Sequence, residues 1–415
     1  MKAIAVAMTL LVAGCDADVS GSGGQPSAAI VSATAIGADD TQAVQAAVDR
    51  GGVVRFAART YRLTKTITVR HSDTIILGAG PNTLFEFAPA HRDQVHCGTD
   101  RVFTTPCDLN DSLPRPLSHS IAIGATAFEA ESTAATADVQ PGEWIIVTDY
   151  DAKIKDRAVV DWAQVSYVDG TTIHVTAPFR TAFGTLRRQV PGALGGLGFV
   201  RIPAERLVQH VEFRNFSLRV PDRGNRRDRV VGISVFMAKD VTIDRVSADV
   251  VGAPPLYTFM SKGVTVTNSQ GRGEYELNEF GVSVDLIICN NVFSVKHGAA
   301  LGLDLGSAFF DVCGNDLIQS ENIGGYLLFG VHDGKFRGNH IAHVASKKSA
   351  AGFLSWGSQN VEVSNNILDG GDGPNSVAMS IRGATTEVVI PSVNITLTGN
   401  IVGSGWISEY ETPPQ

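Results

Sequence analysis

Val264-Thr265-Val266-Thr267-Asn268, Ile287-Ile288-Cys289-Asn290, Val361-Glu362-Val363-Ser364-Asn365 and Ile395-Thr396-Leu397-Thr398-Gly399-Asn400 are four copies of one phrase: an alternating apolar strand closed by asparagine. Further copies close at Asn215, Asp244, Asn315 and Asn339, and the eight anchors stand 29, 24, 22, 25, 24, 26 and 35 residues apart. Apolar residues at every second position mark strands, not helices. A period of about 20–30 residues marks a solenoid, in which each turn buries its apolar face only against its neighbours. Asparagine tolerates the left-handed backbone of a sharp corner, and its amide can bond to nearby backbone. An asparagine at the same corner of every coil predicts an internal ladder in a parallel β-helix.

The first residues read as a targeting signal. Lys2 supplies a positive charge and residues 3–12 an apolar run too short to span a bilayer as a stable helix. Val12-Ala13-Gly14-Cys15 resembles a bacterial lipobox, which implies acylation of Cys15 and a membrane anchor. Asp16 resembles the inner-membrane retention signal of some Gram-negative lipoproteins. Residues 16–32, rich in Gly and Ser, read as a flexible tether. A content of 44% hydrophobic and 18% charged residues, with 43 Gly and 17 Pro, describes an ordered, turn-rich protein rather than a disordered one. The formal net charge of −8 argues against a general nucleic-acid binder.

Cys97 and Cys107 flank a polar loop and are candidates for a disulfide in an oxidising envelope compartment. Cys289 and Cys313 occupy equivalent places in successive coils, and both free thiols and a bridge remain open. Their spacing matches no zinc pattern.

Upstream of the repeats, Asp39-Asp40-Thr41 supplies capping residues, and Ala43, Val44, Ala47 and Val48 share one side of a short helix. Such a helix would cover the open apolar end of the solenoid. Asp39-Asp40-Thr41, Ala43, Gln45 and Ala47, followed by Gly51-Gly52, Val54, Phe56 and Thr60-Tyr61, resemble the opening of pectate-lyase-superfamily proteins. With the repeats, the resemblance covers residues 33–405 and implies an all-β, right-handed parallel β-helix with an N-terminal capping helix. Family members include polysaccharide lyases, glycoside hydrolases, sugar epimerases and phage tailspikes, so the resemblance speaks to fold more than to reaction. Residues 88–205 interrupt the repeat. Gly142-Glu143-Trp144 and a hairpin around Asp169-Gly170 mark a β-rich insertion that walls the groove or serves only as packing. Residues 406–415 form a tail.

In this superfamily the first strand of each coil lines the substrate groove. Alternation places first strands at 231–237, 256–260, 280–285, 301–306, 326–330, 353–357 and 377–381, with Ser283, Asp285 and Asp304 pointing outward. Asp285 and Asp304 then stand on adjacent coils about 4.8 Å apart, a spacing at which two carboxylates divide acid and base roles. His332 and Asp333 are expected beside Asp304, as a general base oriented by a carboxylate. Lys335, Arg337 or Lys262 would supply the cation a lyase needs, and Asp304, Asp285 and Asp333 are candidate calcium ligands. Tyr257 and Trp356, with Phe236 and Phe329, could stack on sugar rings. His297 edges the groove. Arg223, Arg226, Arg227 and Arg229 crowd one loop, where guanidinium groups suit carboxylates or sulfates.

The combined expectation is an envelope-anchored β-helix that cleaves an anionic, uronate-containing polysaccharide by β-elimination. A hydrolase of polygalacturonase type, a C5-epimerase and a non-catalytic polysaccharide-binding β-helix are the alternatives. The Asn-Thr-Asp, Asp-Asp, Gly-His-Gly and Arg-Ile-Lys signatures of the polygalacturonases are not legible in the chain.

Overall fold

A computed structural model describes residues 29–31, 39–88, 100–106, 114–151, 157–184, 187–188, 195–221, 230–274, 278–344, 350–371, 376–385, 388–406 and 408–411. The chain winds into a parallel β-solenoid of about 11 turns. Each full coil carries three short strands. The first face is a ten-stranded sheet that includes Val230–Phe236, Leu256–Phe259, Asn278–Gly281, Ala299–Asp304, Ile323–Leu328, Ala350–Trp356 and Ser376–Arg382. The second and third faces form one 19-stranded sheet that folds around the asparagine corner. Second-face strands include Lys262–Thr267, Val284–Cys289, Ala308–Cys313, His332–Arg337, Gln359–Ser364 and Val393–Thr398. Third-face strands include Gln270–Gly273, Val292–Val295, Asp316–Ser320, His340–Val344 and Ile367–Gly371.

Register explains the core. On the first face Phe103, Ile233, Leu256, Asn278, Leu301, Gly325, Phe353 and Met379 align from coil to coil, all but the asparagine and the glycine supplying apolar side chains. Asn278 fits by donating to Ala300 O at 3.0 Å. The helix Thr41–Val48 closes the N-terminal end with Val44, Ala47 and Val48 fully buried, as its amphipathic pattern predicts.

The ladder is real, but seven of the anchors divide into two adjacent positions, and Asp244 stands at neither: it pairs with Arg214, and Arg245 after it holds the left-handed turn of that coil, with φ of 52°. Asn215, Asn268, Asn290 and Asn365 hold the left-handed turn, with φ of 59°, 51°, 59° and 54°. Gly314, Gly338 and Gly399 take that place in other coils. The residue after the turn points inward, and there the ladder runs through Asn291, Asn315, Asn339, Asn366 and Asn400. Each backbone N–H from Asn291 to Asn366 donates to the Oδ1 of the next asparagine, and each Nδ2 from Asn291 to Asn400 donates to a backbone carbonyl of the preceding turn. A second internal ladder lies at the opposite corner: Ser261 N–H donates to Ser283 Oγ, and Ser283 N–H to Ser307 Oγ.

The insertion forms a six-stranded antiparallel sheet containing Trp144–Asp151, Arg157–Asp169, Thr172–Val175 and Gly195–Ile202. One side carries its own core of Phe128, Ile145, Val147, Phe179, Phe183 and Phe199. The other side presses Ile146, Val160, Trp162, Val200 and Ile202 onto Met237, Met260, Val282, Val284 and Ala308 of the solenoid.

Candidate functional site

Among the described residues the first face is only partly exposed, at positions such as Tyr257, Glu279, Leu354 and Trp356. Its strands Val230–Phe236 and Ala299–Asp304 are buried at every position, outward side chains included. The second face alternates buried and exposed residues and presents a regular outward grid. Successive rows read Asp285, Ile287, Cys289; then Phe309, Asp311, Cys313; then Asp333, Lys335, Arg337; then Asn360, Glu362, Ser364; then Asn394, Thr396, Thr398. Most of these residues line an open groove of about 820 Å³. The first column stands entirely in the left-handed region, with φ from 52° to 57°. Asp and Asn tolerate that backbone without the steric cost a branched residue meets.

That column explains why Asp285 does not sit where strict alternation puts it. Strand Asn278–Gly281 ends four residues earlier, and left-handed Val282 resets the phase of the chain. Ser283 consequently turns inward and is fully buried, whereas Asp285 opens the second face. Asp304 closes a first-face strand, so the two aspartates are not cross-strand neighbours. Asp304 is only 9% exposed. Its Oδ1 lies over Gly281, 2.6 Å from where a β-carbon there would stand. Among the described residues the one group of three or more His, Cys, Asp or Glu donors placed to share an ion is Cys289, Asp311 and Cys313; Asp285, Asp304 and Asp333 form no such cluster.

The structure instead builds a charged junction at the head of the groove. Arg180, from the insertion, reaches Asp285 at 2.5 Å and Asp161 at 2.8 Å, with its guanidinium 3.7 Å above the Phe309 ring. Lys262 holds the second oxygen of Asp285. Burial alone pushes the Asp285 carboxyl up, but the bonds and charges of Arg180 and Lys262 outweigh it and hold the group below the ordinary carboxylate range. Two coils on, His332 Nδ1 lies 2.7 Å from Asp333 Oδ2, and Asn360 Nδ2 donates to Asp333 Oδ1 at 3.0 Å. Burial again works against the Asp333 charge, and the bonds from His332 and Asn360 again win, keeping this carboxyl low. His332 is 3% exposed, packs edge-on to Phe309, and its buried Nε2 meets no hydrogen-bond partner among the described residues.

The remaining candidates are dispersed. Lys335 projects into the groove and faces Glu362 at 3.8 Å. Tyr257 stacks parallel to Phe259 on the first face, 6.2 Å between rings. Trp356 leans on Phe329 at 5.3 Å and donates through Nε1 to Gly383 O. His297 sits across the molecule at the turn beyond the third face, 2.7 Å from Glu321. Arg223, Arg226, Arg227, Arg229, Cys15, Cys97 and Cys107 lie outside the described residues. Arg180, Phe309, Asn360 and Asn394 were not singled out from sequence. Asn360 and Asn394 carry a faint signal, an Asx five or six residues before each corner turn or ladder asparagine. Arg180 carries none, since it meets Asp285 across 105 residues.

No family model matches the chain, and no curated protein matches it in sequence. Solved structures match its fold. PfbA, a surface adhesin of Streptococcus pneumoniae, superposes with a TM-score of 0.51 at 13% identity over 94% of this chain and 80% of its own. The tailspike gp49 of Pseudomonas phage LKA1 gives 0.45 at 13% identity over 90% and 74%. The A-module of the Azotobacter vinelandii mannuronan C-5 epimerase AlgE6 gives 0.35 at 14% identity over 91% and 96%. At these identities the likeness is one of fold: the chain is a parallel β-helix.

Proposed function

We propose that this β-helix acts on an anionic, uronate-containing polysaccharide bound along the second face, by β-elimination. The observation that carries the reading is the His332–Asp333 pair beside an open groove whose head holds Arg180 and Lys262. With Asp333 accepting from Nδ1–H, His332 keeps a bare Nε2 as the base for the proton beside a uronate carboxylate. Arg180 and Lys262 are suited to take up that carboxylate's charge in exchange with Asp285. Lys335 is the exposed proton donor nearest in the grid for the leaving oxygen. The resemblance of residues 39–61 to the pectate-lyase opening points the same way, and Cys15 would hold the protein at a bacterial envelope. A calcium requirement through carboxylates such as Asp333 belongs to the same proposal and is read from the paired assays with and without the ion.

Hydrolysis by paired carboxylates is the weaker reading, because Asp285 is held ionised by two cations and stands apart from Asp304. The burial of His332 favours a second reading, a polysaccharide-binding solenoid without turnover. The test is the chain begun after Cys15, incubated with a panel of acidic polysaccharides with and without calcium. Ultraviolet absorbance follows unsaturated uronate, and reducing ends are counted in parallel. The proposal expects both signals, and their loss in His332→Gln with binding retained. New reducing ends without absorbance would mean hydrolysis, and binding with neither signal would mean the non-catalytic reading if no deuterium enters C5 in heavy water and an epimerase if it does.

A further inference from the structure

Cys289 and Cys313 are register partners on adjacent coils, with Cα atoms 4.6 Å apart, and they are joined as a disulfide. Both side chains point outward from the second face. Asp311 precedes Cys313 by two residues and therefore shares that face. The two sulfurs and one Asp311 oxygen all lie within 4.8 Å of one another. Arg337, the register partner of Cys313 on the next coil, bonds both Asp311 oxygens, Nε to Oδ1 at 2.9 Å and an Nη to Oδ2 at 2.6 Å.

We propose that the reduced chain binds a thiophilic divalent cation of the zinc class through Cys289, Cys313 and Asp311, so that the disulfide and the metal are alternative occupants of one site. Two thiolates and a carboxylate are a donor set that zinc accepts, with the fourth position left to water or to a groove ligand. The charges balance: three negative groups meet the dication and the Arg337 cation. Arg337 leaves lone pairs free on both carboxylate oxygens and orients the group, as outer-shell partners of metal-bound carboxylates do. Opening the site takes two electrons. With a phosphine reductant the S–S bond gains two protons, giving two thiols, while phosphorus takes the oxygen of water; zinc binding then releases both thiol protons. Asp311 lines the groove and the two cysteines do not, so a bound ion would stand at its margin. The inference holds whether or not the groove turns over polysaccharide.

The test is a zinc titration of phosphine-reduced protein against a chromophoric chelator. Because Cys15, Cys97 and Cys107 also carry sulfur, it is run in the C15S/C97S/C107S background. One equivalent of zinc is expected in the reduced protein and none in the oxidised protein. Cobalt should give a thiolate charge-transfer band. Asp311→Asn should weaken binding at least tenfold, and Cys289→Ser should abolish it, with circular dichroism unchanged. If the triple background fails to fold, Asp311→Asn in the natural chain must remove one tight equivalent. Reduced protein that takes up no zinc, or binding indifferent to Asp311, overturns the proposal.

Discussion

At the scale of single residues, the two adjacent positions of the corner do different work. Asn339 accepts from the N–H and the amide of Asn315 and donates to Val312 O, all away from water. Asn339→Ala strands these groups and should cost about 3 kcal/mol, seen as a lower urea midpoint. Asn290 instead holds a left-handed turn that Gly314 and Gly338 hold elsewhere. Asn290→Gly should therefore be nearly neutral, whereas Asn290→Val should cost about 1–2 kcal/mol. The sequence pattern reveals the corner but merges these two positions, because both favour Asn and lie one residue apart. The Asp285 charge makes a second prediction. Its folded carboxyl titrates below the ordinary aspartate range, so the folded state holds fewer protons there than the unfolded chain. The stability gap between the natural chain and Asp285→Asn should then be constant above about pH 5 and shrink as pH falls through about 4. It should vanish below the depressed folded value. A gap that grows on acidification would contradict the Arg180–Asp285–Lys262 arrangement.

At the scale of elements, the insertion is tied to the solenoid by an apolar patch around Trp162 and by Arg180. Arg180→Gln should raise hydrogen exchange in strands Trp144–Asp151 and Arg157–Asp169 while leaving Gln359–Ser364 unchanged. Equal protection in all three would mean that the apolar patch alone sets the docking. Strand existence and the 24-residue spacing were legible in the alternation of apolar residues. Strand phase was not, because each left-handed residue at Met237, Met260, Val282, Leu305 and Phe329 shifts the inside–outside count. That shift is why Ser283 became a ladder residue and why Asp285 and Asp304 parted. Of the expected residues, Asp285, Asp333 and Lys335 line one groove on the second face, and buried His332 bonds to Asp333 from beneath it. Arg180 came from the insertion, which shares no repeat with the coils and so leaves no periodic trace.

At the scale of the molecule, a helix covers the N-terminal end of the solenoid and the second face forms a long charged flank. Val44, Ala47 and Val48 seal the N-terminal coil. Val44→Asp should expose that coil, lowering the soluble yield and raising light scattering of the purified protein, whereas a charge at half-exposed Ala43 should do neither. Because the chain is acidic overall, any attraction to the proposed polyanion would have to come from local cations such as Arg180, Lys262 and Lys335 rather than from net charge.

The asparagine ladder also acts as a ruler. Asn291, Asn315 and Asn339 are spaced by 24 residues, and each rung needs only an asparagine above and a carbonyl below. A segment of that length, copied or excised whole, returns the chain to the same bond pattern it left. Length can therefore change in steps of one strand spacing, about 4.8 Å, without redesign of either neighbour. A polymer-binding flank would lengthen or shorten by the same step, so the number of sugar units it spans is a quantity that duplication and deletion can set directly.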